Sequence, residues 1–133
     1  MKFKCDRDEL SDALQTVQRA VSSRPGIPAL TGVLLSATGD QLVLTTTDLE
    51  VSARRTMSVQ VQDEGGALVP ARLLADMVKS FEQAPVEFQA EEGQAHVVCS
   101  RYEGTIRCLP AEDFPALPEP GGIGVKVNAG ELA

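Results

Sequence analysis

The chain has no tryptophan, one tyrosine, one histidine and only three cysteines among its 133 residues. Nothing in it approaches the apolar run of about 20 residues that a membrane-spanning helix requires. Each scarcity excludes something. So few aromatics leave no stacking platform for single-stranded nucleic acid. The lone His96 sits opposite in phase to Ala95, Val97 and Cys99 on an alternating strand, so as a catalytic base it would stand alone. Cys5, Cys99 and Cys108 are odd in number, lack metal-ligand spacing and lie in apolar contexts, the pattern of reduced, buried thiols in a cytoplasmic protein. The start, Met1-Lys2-Phe3-Lys4-Cys5-Asp6, is charged and strand-like, unlike a signal peptide. No metal and no cofactor is expected.

Charge is present but lopsided. Asp and Glu number 19 against 12 Lys and Arg, which taken as a sum argues against nucleic acid. Yet no acid occurs between Ala13 and Gly39, where Arg19 and Arg24 stand, while acids gather at Glu82, Glu87, Glu91, Glu92, Glu103, Glu112, Asp113 and Glu119. The pattern is either ordinary surface scatter or an acidic body with one less acidic face.

Periodicity orders the chain. Residues 6–22 read as an amphipathic helix capped by Asp6, with Glu9 at the reciprocal capping position. Leu10, Ala13, Leu14, Val17, Ala20 and Val21 form its apolar face; Asp8, Ser11, Gln15, Gln18, Arg19 and Ser22 form the other. Arg24-Pro25-Gly26-Ile27-Pro28 ends it in a stiff loop. Strands follow over about 31–38 and 41–47, joined by a tight turn, and over about 50–62. Arg55 breaks the alternation of that third strand, so it snorkels, marks a bulge, or meets something specific. After a break at Asp63-Glu64-Gly65-Gly66 the order returns: a strand at 67–69, and a helix from Pro70 to about Glu82 with Leu73, Leu74, Met77, Val78 and Phe81 as its stripe. Strands near 85–90, 94–100 and 103–109 complete it. This is βαβββ written twice, an α+β architecture whose two helices can cover one side of curved antiparallel sheets. It lacks the βαβ alternation of a parallel nucleotide-binding sheet.

No residue set supports a reaction. Thr45-Thr46-Thr47-Asp48-Leu49-Glu50 offers hydroxyls and carboxylates for a small hydrolase, but its Thr suits a strand and its Asp a turn. Gly65-Gly66 and Gly121-Gly122-Ile123-Gly124 lack the spacing and the following helix of a phosphate loop, and read as hinges. The end of the chain replays its beginning. Val125-Lys126-Val127-Asn128-Ala129-Gly130-Glu131-Leu132 overlies Phe3-Lys4-Cys5-Asp6-Arg7-Asp8-Glu9-Leu10, at an offset of about 120 residues. Residues 1–120 are therefore expected to form one domain, and 121–133 a linker and the first strand and helix start of a second copy.

Five stretches together resemble the bacterial β sliding clamp, the processivity subunit of DNA polymerase III. They are Met1-Lys2-Phe3; Arg24-Pro25 with Pro28 and Leu30; Leu44-Thr45 through Thr47-Asp48-Leu49-Glu50; Val69-Pro70-Ala71-Arg72; and Leu109-Pro110-Ala111-Glu112-Asp113-Phe114-Pro115. The resemblance covers residues 1 to about 120, as the N-terminal domain of three. It implies a DNA-clamp fold and a ring of two crescent subunits closed head to tail, which encircles double-stranded DNA without reading its sequence and tethers the replicative polymerase. It implies no catalysis.

By the same resemblance Arg24 matches a DNA-contacting arginine, and Arg72 the basic residue at the start of the second helix. Gln15 and Lys79 are further expected DNA contacts on the two polar helix faces. The alternative role for Arg24 is charge complementarity at a helix C-terminus. The subunit contact falls on Arg101, Gly104, Thr105, Ile106 and Arg107; relatives often carry an aromatic where Gly104 stands, so its apolar area is in question. Polymerase and clamp loader are expected to bind through domains beyond this one. The competing reading is a non-catalytic protein-interaction module of similar α+β build.

Overall fold

In a computed structural model of the chain the described residues are 1–21 and 28–115. Strand β1 (Lys2–Asp6) runs into helix α1 (Arg7–Val17) and a 3-10 turn (Gln18–Ala20). A second 3-10 turn (Pro28–Thr31) leads to β2 (Gly32–Thr38), β3 (Gln41–Thr47), β4 (Ser52–Ser58) and β5 (Gln60–Asp63). The second unit has β6 (Gly65–Pro70), α2 (Ala71–Ser80), β7 (Pro85–Glu91), β8 (Gln94–Cys99) and β9 (Tyr102–Arg107), followed by a short 3-10 turn (Ala111–Asp113).

Two antiparallel sheets result, ordered β5-β1-β7-β8-β9 and β4-β3-β2-β6. Each unit gives its opening strand to the other. β1 pairs with β7 in the register Phe3↔Phe88, and β6 pairs with β2 in the register Val33↔Val69. Neither unit can bury its own sheet without the other, so the duplication yields one domain.

Two expectations need correction here. The run over 50–62 is two strands: β4 pairs with β3, while β5 leaves that sheet to pair with β1. The inward phase carries through the crossing at Met57, Val59 and Val61, so alternation alone shows a single strand although the hydrogen-bonding partner changes. Val59 N–H, at the corner, donates to Asp40 O at 3.0 Å. Gly65 and Gly66 are no hinge; they open β6, opposite Ala37 and Ser36. At the other seam Leu109 N–H donates to Leu68 O at 2.8 Å and draws the chain after β9 onto β6.

Both helices pack on one side of the sheets and against each other, over a single core that includes Leu10, Leu14, Val17, Leu74 and Val78. Beneath them Phe3 stacks on Phe88, with ring centroids 5.1 Å apart. Burying each such side chain contributes about 1.5–3 kcal/mol. Asp6 caps α1 as expected, its carboxylate accepting from the N–H groups of Asp8 and Glu9 at 3.1 and 3.2 Å. Two residues change sides. Ser11 is buried with the apolar face, and Leu73 is 59% exposed, because Ala71, Leu74, Ala75 and Val78 already fill the inward stripe of α2.

Candidate nucleic-acid interface

Solvent-facing residues of the helix layer include Asp12, Gln15, Thr16 and Arg19 from α1 and its 3-10 extension, and Arg72, Asp76, Lys79 and Ser80 from α2. Gln15, Arg72 and Lys79 are thus displayed on this layer, whereas Gln18 is half-buried. Arg24, like Ser22, lies outside the described residues. A few cations among short polar groups make a surface that attracts phosphate without a side-chain array for reading base edges.

Two further arginines shape this layer. Arg7, the first residue of α1, sends Nε to Val78 O at 3.2 Å and Nη2 to Lys79 O at 2.8 Å, satisfying carbonyls in the last turn of α2. Its Nη1 donates to Asp8 at 2.7 Å. Gln83 also donates to Asp8, and these two hydrogen bonds, Arg7 first, hold the Asp8 carboxyl below its ordinary range. The sequence carried a sign of this, since a cation at a helix N-terminus opposes the helix dipole and needs another reason to be there. Arg55 takes the third course left open for it, a specific partner. It reaches from β4 to α1, Nη1 donating to the Thr16 hydroxyl at 3.0 Å and Nη2 to Asp12 at 3.1 Å.

The expected subunit-contact residues lie on or beside β9, which among the described residues has no strand on its outer side. Arg101, Thr105 and Arg107 are exposed, but Ile106 faces the core at 5% exposure. Gly104 is covered from above: a Cβ there would lie 2.6 Å from Met77 Cε, so the end of a helix side chain occupies the space over the strand. Tyr102 on the same strand is 49% exposed and in ring contact with Phe81 at a centroid distance of 6.2 Å, and Leu73, one turn before Met77 on α2, is exposed as well. Apolar surface at this edge therefore comes from α2 and Tyr102.

The remaining chemistry-bearing residues are accounted for structurally. Asp48 Oδ1 accepts from the N–H groups of Glu50 and Val51 at 2.9 and 2.7 Å, and Thr47 Oγ1 accepts from Leu49 N–H at 3.0 Å, which fixes a turn whose Leu49 has φ 81°. The Thr46 hydroxyl donates to Val17 O. His96 is exposed on the outer sheet face, 3.2 Å from the Thr105 hydroxyl and 3.6 Å from Glu103. All three cysteines are free thiols, two buried and Cys108 half-buried. Cys5 lines an open cavity of about 440 Å³ with Lys4, Asp6, Ser58, Val59, Gln60 and Pro85. Burial, with Asp6, Glu9 and Cys99 adding to it, pushes its thiol up to about 12, so it stays protonated and unreactive near neutral pH. Among the described residues no group of His, Cys, Asp and Glu could hold a metal, and no helix is long and apolar enough to cross a membrane.

A doubled βαβββ unit with exchanged first strands and both helices on one side of curved sheets is the DNA-clamp fold. Comparison with known proteins makes the assignment specific. Residues 1–118 match the family model for the N-terminal domain of the DNA polymerase III beta subunit, and the chain belongs to that family. It is 40% identical over 119 residues to the beta sliding clamp of Streptomyces coelicolor, covering 90% of this chain and 32% of that protein. With the beta sliding clamp of Synechocystis it shares 37% identity over 132 residues, 92% of this chain and 34% of the relative. A crystal structure of the Pseudomonas aeruginosa sliding clamp superposes with a TM-score of 0.85 at 37% identity, over 92% of this chain and 34% of that one. The chain thus spans about a third of the length of these relatives.

Proposed function

We propose that this chain is the N-terminal domain of a sliding clamp: a non-catalytic subunit of a cytoplasmic ring that encloses double-stranded DNA and keeps the replicative polymerase attached to it. The observation that carries the reading is the pairing of one polar helix layer with two equivalent strand edges among the described residues. Among the described residues the fourth strand of each repeated unit is a sheet edge, β4 in one sheet and β9 in the other, with β6 and β5 at the opposite edges. A module with equivalent free edges at its two ends joins others strand to strand, and curved modules joined so can close. The helix layer would then line the hole, with Gln15, Arg72 and Lys79, and Arg24 by its sequence position, facing phosphates. The acids on β7, on β9 and in the turn between β7 and β8 would repel DNA from the outer wall. Residues 121–133 would begin the next module. β9, with Arg101, Gly104, Thr105, Ile106 and Arg107, would meet a second subunit head to tail; Gly104 and Ile106 would contribute chiefly by shaping the bed under Met77. Polymerase and clamp loader would engage the domains that follow.

The test uses the full-length parent. It should remain on closed circular duplex DNA and slide from a linearised one, while equal retention on both would refute the ring. Arg24→Ala with Arg72→Ala should weaken association and make its salt dependence shallower, by roughly 0.9 for each phosphate no longer neutralised.

A further inference from the structure

A phosphate-facing α1 raises a difficulty. Asp12 is 67% exposed, and with about 3.6 residues per turn it projects from the same stripe as Gln15, Thr16 and Arg19. A bare carboxylate there repels the backbone that Arg19 attracts. α2 faces the same difficulty with Asp76 and meets it within its own sequence, since Arg72 lies four residues before and Lys79 three after. Asp12 has no such neighbours. Its positions three and four away hold Asp8, Glu9, Gln15 and Thr16, none of them cationic.

The missing cation comes from the sheet. Arg55, opposite Leu44 in the ladder, occupies the inward phase of β4 between Ala53 and Met57, where an apolar side chain would be the ordinary choice. Its guanidinium instead climbs beside α1 to Asp12 and Thr16, and the Thr16 hydroxyl donates in turn to Asp12 O at 2.9 Å. As a stabilising element this pair contributes little, because its partners are 37% and 67% exposed. As an electrostatic element it does more, turning a negative point on the layer into a neutral one.

We propose that Arg55 is a positioning and screening residue of the DNA-facing surface: by pairing with Asp12 it removes the repulsive charge from α1 and leaves the cations of the two helices to act on phosphate without opposition. This rests on the helix-layer reading given above. It explains why a cation sits at an inward strand position, and it assigns DNA-binding consequence to a residue outside both helices.

The experiment is duplex binding by the full-length parent, followed by fluorescence anisotropy across a salt series, with thermal melting of every variant. Asp12→Asn should tighten binding at low salt, and Arg55→Gln, which exposes Asp12, should weaken it. Each change should be roughly three- to tenfold, the scale of one unit charge a few Å from a phosphate in a high-dielectric setting. The double variant should return close to the parent, and Arg55→Lys should retain binding even if Arg55→Gln folds poorly. A purely structural pair predicts otherwise: both single variants lose melting temperature and neither separates in DNA affinity. Equal or same-signed DNA effects of Asp12→Asn and Arg55→Gln overturn the proposal, provided Arg72→Ala with Lys79→Ala still weakens binding. If that control is also silent, the helix layer does not face DNA, and the screening role falls with it.

Discussion

The two helices occupy equivalent places in the two units, yet they are held in different ways. α1 is self-sufficient at its start: Asp6 caps it, and Asp8 and Glu9 place negative charge against the positive end of its dipole. α2 begins at Pro70 with no side-chain cap and has no acid in its first turn, and carbonyls of its last turn are satisfied by Arg7 of the other unit. One helix is capped at its start by its own sequence, and the other is satisfied at its end by its neighbour. A duplicated fold therefore need not duplicate its energetics: the second unit's helix end relies on Arg7 of the first, while the first unit's helix start receives from the second only the Gln83 bond to Asp8 beside its own cap.

The largest effect that tests this contrast is core truncation in each unit. Leu10 and Leu74, each four residues after its helix's N-cap, are equivalent inward residues, both 0% exposed, and replacing either with alanine should cost about 2–5 kcal/mol. Because β1 and β6 are exchanged between the units, both variants should still melt in one cooperative transition, read by circular dichroism and calorimetry together. Two separated transitions in Leu74→Ala would show that the second unit melts alone, and the exchange of strands would then not make one domain.

Next in size is the difference between the two helix ends. Arg7→Ala removes two charge-assisted hydrogen bonds from the end of α2 and should cost about 1.5–3 kcal/mol, with faster amide exchange in α2. Asp6→Ala removes the α1 cap and should cost about 1 kcal/mol, with faster exchange in the first turn of α1. If Arg7→Ala instead loosens α1 alone, the cross-unit support of α2 is wrong.

Element order, the doubled unit and most of the inward residues were legible from periodicity, because a half-buried strand or helix must alternate with its own period. What escaped was everything fixed by partners distant in the chain. β4 and β5 keep one phase across two sheets, so the crossing leaves no mark in the alternation. Leu73 fits a helical stripe as well as Leu74 does, and only the volume already filled by Ala71 and Ala75 decides between them. Arg7 and Arg55 each broke a local rule, one at a helix start and one at an inward strand position. The break at Arg55 left its partner open, the cation at the start of α1 is a signal only in retrospect, and Asp12 and Val78 lie far off in sequence. For the candidate surface, Gln15, Arg72 and Lys79 followed from helix phase, but the neutralisation of Asp12 required the fold.

The smallest effect concerns pH at the junction of the helices. Asp8 is held below its ordinary value of 3.8, first by its hydrogen bond from Arg7 and then by that from Gln83. A carboxyl depressed in the folded state binds fewer protons there than in the unfolded chain, so its contribution is complete above 3.8 and is lost as pH falls through the lowered folded value. Protonation also frees Arg7 from one of its three bonds, which ties the acid response of α1 to the end of α2. Asp8→Asn should leave stability near pH 7 little changed, because the group is exposed and its pairing is screened. Below pH 4 the variant should lose stability less steeply than the parent, measured as denaturation midpoint against pH. Parallel slopes for the two proteins would mean that Asp8 holds its partners equally well in either protonation state, and that Arg7 is anchored by the α2 carbonyls alone.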